Sequence, residues 1–119
     1  MSGFSTVNLL EVEDSVGDRA PGVEGRFGRK HLGSRDLGVS LFRYAANLRS
    51  PMAHSHREQE EAYVVVAGSG RVLLDDEVRD LRQWEPCGSH PRLFALSRPV
   101  RTGWTSLRLV VPSPPLVTV

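Results

Sequence analysis

The chain has 119 residues, 39% apolar and 24% charged, which is room for one domain around one core. No apolar run approaches the roughly 18 residues of a membrane span, the first ten residues lack a basic stretch followed by an apolar one, and the single cysteine, Cys87, excludes an internal disulfide and fits a reducing cytoplasm. A net charge of +1 gives no electrostatic case for nucleic acid. The partners expected are therefore neither nucleic acid nor membrane.

Short β-rich runs separated by turn residues predict a small all-β domain. Residues 6–10 read as a first strand, and residues 14–22, with their Gly, Pro and Asp, as a loop. Residues 23–29 and 38–46 are the next strands. In the second, Val39, Leu41 and Arg43 face one way and Ser40, Phe42 and Tyr44 the other. His31, after Arg29-Lys30, reads as a solvated loop histidine. Pro51 marks residues 48–53 as a connection. Residues 62–67, with three consecutive valines, form the strongest strand. Gly68-Ser69-Gly70 is a tight turn where positive φ is available. Residues 71–74 return, Asp75-Asp76 turns again, and residues 77–81 continue. This spacing suggests a barrel or sandwich. Trp84 and Trp104 read as packing residues, and Cys87 has no His or Asp arrangement that would make it a nucleophile.

The residues that carry chemistry run from His54 to Gly68. On a strand, positions i and i+2 share a face, so His54 and His56 present two imidazoles to one point. Four residues later Glu61 opens the valine strand and can return a carboxylate to the same point. Two imidazoles and one carboxylate make a facial set for a divalent transition metal, with positions left for water or a ligand. Tyr63 and Val65 share the parity of Glu61 and would line the same interior. The competing reading is local: Ser55 and Glu58 fit a capping box, and residues 56–62 would then begin an exposed helix with both histidines solvated. The β-branched run after Ala62 opposes a helix of useful length.

His-x-His, four residues, Glu61, six residues, Gly68 resembles the first conserved motif of the cupins. The glycine usual six residues before the first histidine is replaced by Leu48. The resemblance extends from about Thr6 through Glu85, above all in HSHREQEEAYVVVAGSGRVLLDDEVRDLRQWE, and points to the small single-domain bacterial cupins. It implies an all-β jelly-roll barrel, a double-stranded β-helix, with His54, His56 and Glu61 as three of the usual four metal ligands. The metal would be divalent, with Mn, Fe, Ni and Zn all open. The fourth ligand is where the match fails. Cupins usually carry Pro-x-Gly, two residues, then His, whereas this chain has Pro86-Cys87-Gly88-Ser89-His90, one residue short, and Phe94 in place of the expected asparagine.

All 14 acidic residues lie in 1–85, whose net charge is −3 against 11 basic residues; residues 86–119 carry four arginines and no acid, and six of the eight prolines. Residues 1–85 are thus the cupin-like segment, 86–111 a divergent or frame-shifted closing segment, and 112–119 a disordered ending. Fourteen arginines against one lysine (Lys30), with no isoleucine, suggest a GC-rich bacterial genome. Back-translated on that assumption and moved one nucleotide back, Glu85 onward reads AVRVAPEAVRAFEAGPDGLDFLAL, with alternating strands and its acids restored. The nucleotide sequence decides between a slip near Glu85 and a genuine divergent tail. A slip would leave closing strands missing, with unpaired edges, lower stability and a homodimer by strand exchange in prospect. Residues 92–100 and 107–111 contain enough apolar side chains to pair as substitutes.

The function expected is a divalent-metal-binding cupin domain that also takes a small polar molecule in its barrel, with no reaction selected. The alternatives are a metal-free ligand-binding module and an inactive remnant with an altered ending.

Overall fold

The computed structural model describes residues 3–46, 48, 53–55, 59–74, 77–89, 93–96 and 103–112. Among the described residues the strands are, in chain order, β1 (Val23–Phe27), β2 (Gly38–Tyr44), β3 (Ala53–Ser55), β4 (Gln59–Ala67), β5 (Gly70–Leu74), β6 (Glu77–Leu81), β7 (Pro86–Ser89), β8 (Leu93–Leu96) and β9 (Trp104–Pro112). One short helix, α1 (Arg29–Leu32), separates β1 from β2. Two antiparallel sheets result, one in the order β1-β2-β9-β4-β7 and the other β3-β8-β5-β6. This is the all-β jelly roll expected. No helix among the described residues is long and apolar enough to cross a membrane.

The core lies between the sheets. The larger sheet contributes Val23, Phe42, Tyr44, Tyr63, Val65 and Trp104, and the smaller one Val72 and Leu81. Strand alternation places them there: Ser40, Phe42 and Tyr44 are all buried, on the parity predicted for β2. A row of rings runs along the inner wall. Phe27 meets Phe42 edge-on with centroids 5.6 Å apart, and Tyr44 stacks on Trp104 at 4.4 Å.

Several local expectations change. Residues 6–10 form no strand; Leu9–Glu11 make a single 3-10 turn, because the Asn8 side chain accepts a hydrogen bond from the Leu10 N–H and caps it. The strand from Val23 ends at Phe27, and His31 sits exposed on α1 instead of in a loop. Gly68-Ser69-Gly70 does turn the chain, with Gly68 at φ 75°, but it closes no hairpin. β5 pairs with β6 and β8, so the turn carries the chain from one sheet to the other. Gly70 is needed there because the Trp104 indole occupies the space of a side chain: a Cβ would lie 2.4 Å from the ring. Trp104 packs as expected, whereas Trp84 is 66% exposed and holds a left-handed backbone (φ 70°) beyond β6.

The closing segment supplies three strands. β9 lies between β2 and β4, paired to both along its length, and β8 lies between β3 and β5. Pro86 opens β7, an edge strand, and Pro112 closes β9, so neither removes a bond from the middle of a ladder. Of the ending expected to be disordered, residues 113–119 lie outside the described residues.

The loop before β1 is anchored by one carboxylate. Asp14 Oδ1 accepts the backbone N–H groups of Val16, Gly17 and Gly25 at 3.0–3.1 Å. Those bonds, Gly25 foremost, hold its pKa below the ordinary aspartate value of 3.8. A depressed folded pKa contributes stability that is present above the unfolded value and lost as pH falls through the folded one. An acid titration of stability should therefore show a decline beginning near pH 4, and Asp14→Asn should remove part of that slope. An unchanged slope in the variant would show that the loop is not anchored this way.

Candidate functional site

β4 builds the site wall. Its register places Glu61, Tyr63 and Val65 on the inner face, where they are 3%, 1% and 0% exposed. This is the parity expected for Glu61 and its two neighbours. β4 starts at Gln59, so the capping-box alternative, an exposed helix over residues 56–62, is not what this segment forms. His54 lies in the middle of β3, its backbone paired with Phe94 of β8. The side chain of His54, and the whole of His56 and His90, fall outside the described residues.

A buried carboxylate must be paired, and Glu61 is. Its Oε1 accepts a hydrogen bond from Arg108 Nη2 at 2.5 Å, and its Oε2 accepts one from the Tyr63 hydroxyl at 3.2 Å. Arg108 comes from β9, where Trp104, Ser106 and Val110 alternate inward, and its register partners are Ser40 on one side and Tyr63 on the other. Burial, above all, and the Glu61 carboxylate push the Tyr63 phenol well above its ordinary pKa, against the opposing pull of Arg108, so it stays a hydrogen-bond donor at any working pH. Cys87 lies beside Tyr63 in β7, half-buried and reduced. Burial raises the pKa of its thiol, which suits a packing residue better than a nucleophile.

The wall is more polar than a packed core requires. The Tyr44 and Ser106 hydroxyls are buried next to each other, and Arg108 Nε is buried without a hydrogen-bond partner among the described residues, a group that calls for a guest molecule or water. Beside Arg108 a cavity of about 210 Å³ opens between Phe27, Arg29, Gly38, Ser40 and Val110. The sequence reading found Tyr63 and missed Arg108, Arg29 and the buried hydroxyls. The signal was present: counting by two from Trp104 places an arginine at an inward position among apolar ones.

The donor chemistry at Glu61 suits a divalent cation. An ionised carboxylate has about four lone-pair sites, and ligating carboxylates are commonly held by partners such as the Arg108 guanidinium and the Tyr63 hydroxyl. Arg108 opposes the same cation electrostatically. Among the described residues no three His, Cys, Asp or Glu side chains converge, a set from which both histidine side chains are missing.

No family model matches the sequence, and no curated protein matches it. Solved structures do match by fold. A cupin protein from Bacteroides fragilis superposes with a TM-score of 0.77 at 18% identity, covering 100% of this chain and 92% of the other. A sugar phosphate isomerase of the cupin superfamily from Silicibacter pomeroyi gives 0.72 at 20% identity, covering 92% and 76%. A predicted oxalate decarboxylase from Thermotoga maritima gives 0.72 at 14% identity, covering 90% and 98%. The sheet order, the inward parity of β4 and these superpositions agree: the chain is a small domain of the cupin fold.

Proposed function

We propose that this cupin domain binds a divalent metal ion and a small polar molecule inside its barrel. His54 and His56 would supply imidazole nitrogens and Glu61 a carboxylate oxygen. The observation that supports this most is Glu61, a carboxylate buried on the inner face of β4, the parity expected of it in the sequence. A bound ion would supply Lewis-acid or oxygen-activating chemistry. The chain's own groups would orient a guest: Arg108 and Tyr63 fix the carboxylate, and Tyr44 and Ser106 add two buried hydroxyls to the same wall. The neighbours include an isomerase and a predicted decarboxylase, and a shared fold selects neither reaction.

Metal analysis of the purified protein tests this reading. One equivalent of metal is expected in the wild type after loading, lost in His56→Ala and in Glu61→Gln. Folded wild-type protein that takes up no metal under any loading condition would overturn the metal assignment. The second reading, a ligand-binding module without metal, is favoured by one observation: Glu61 already has a resident cation in Arg108.

A further inference from the structure

The cavity beside Arg108 has a composition of its own. Its floor is the inner face where β2 meets β9, with Ser40 directly across the ladder from Arg108 and Gly38 across from Val110. Its rim is α1, whose Arg29 folds back over Gly38 so closely that a Cβ there would lie 2.7 Å from Arg29 Nη2. The only hydrogen bond of the Arg29 side chain among the described residues is a long one, 3.5 Å, to the Asp36 carbonyl. No carboxylate among the described residues pairs with it. Arg108 gives Nη2 to Glu61 and keeps Nε buried and unpartnered. Two guanidinium groups therefore border one small cavity: Arg108 is paired with Glu61, whereas Arg29 has no carboxylate partner among the described residues, so its charge faces the cavity uncompensated. Phe27 and Val110 supply apolar walls.

We infer that this cavity binds the carboxylate of a small organic acid, with Arg29 and Arg108 on the anionic end, Ser40 donating to it, and Phe27 and Val110 against the carbon chain. Guanidinium groups suit a planar carboxylate because their donors lie in a fixed fork. The volume of about 210 Å³ sets the size: it lies below the roughly 300–1,000 Å³ of pockets for drug-sized ligands, so the guest is an acid of a few carbons. The inference deepens the ligand-binding half of the proposed function and does not depend on the metal.

The test uses the full chain after treatment with chelator, so that failure of the metal reading leaves it interpretable. Propionate is titrated against ¹⁵N-labelled protein, with propionamide and inorganic phosphate as comparison probes. Propionate should give saturable shifts of the Ser40 amide and of the Arg108 Nε–H. Arg29→Gln, a change on an exposed residue of α1, should weaken binding about tenfold, whereas Arg35→Gln, whose side chain is 92% exposed and paired with Asp36, should leave it unchanged. The inference fails if propionate shifts neither group, or if Arg29→Gln binds as well as the wild type. It fails equally if propionamide binds as tightly as propionate, since the charge would then be irrelevant. Equal binding of phosphate would replace the carboxylate site with an unselective oxyanion site.

Discussion

Arg108→Met is expected to destabilise the protein by about 3–5 kcal/mol, the usual result when one member of a buried ion pair is removed. The cost follows from what remains. Glu61, its side chain 2% exposed, would keep its charge inside the barrel without its guanidinium partner, in a wall built of β2, β9 and β4. Methionine fills much of the arginine stem's volume, so the loss reflects charge more than packing. Urea unfolding of the single variant and of Glu61→Gln/Arg108→Met separates the two. The double variant should recover a large part of the loss, because the uncompensated charge is gone; a double variant as unstable as Arg108→Met would show that packing carries the effect. The same substitution reads the electrostatics of the proposed metal site. A guanidinium on the carboxylate repels an incoming cation, so removing it should raise divalent-metal affinity by something on the order of tenfold. Unchanged affinity would mean that Arg108 swings clear of Glu61 when metal binds.

What the sequence made legible was local and periodic. The valine run and its parity placed Glu61, Tyr63 and Val65 on one buried face, because a strand admits only two faces and the apolar ones must go inward. The alternation in β2 was readable for the same reason. Three things were not. The connection through Gly68-Ser69-Gly70 has the composition of a hairpin, yet crosses between sheets, because pairing is decided by non-local partners and Trp104 fills the space over Gly70. Arg108 was hidden by the assumption that an arginine points outward; its inward position is tolerable only because Glu61, 47 residues away, neutralises it. The closing segment was hidden by its prolines and its charge. Composition discourages strands there, but the inward series Trp104, Ser106, Arg108 and Val110 is a strand pattern, and two flanking strands lack a partner without it.

That dependence yields the other large effect. Ending the chain after Glu85 should abolish cooperative folding, whatever the origin of residues 86–119. Removing β9 takes out the strand between β2 and β4 and splits the larger sheet; removing β8 separates β3 from β5 and β6. The backbone groups of β2 and β4 that now pair with β9 would face the barrel's interior or its broken edge, where unpaired groups are costly and open to association with another chain. A graded version of the same test is Trp104→Ala. The indole is 3% exposed, stacks on Tyr44 at 4.4 Å and covers Gly70, so its loss leaves a cavity between the sheets. The expected cost is about 3–5 kcal/mol, read as a lower urea midpoint with an unchanged slope. If the closing segment were only loosely attached, Trp104→Ala would cost less than about 1 kcal/mol, and the chain ending at Glu85 would retain a cooperative transition. Either result would move the core of this barrel from the junction of β2, β9 and β4 to the front strands alone.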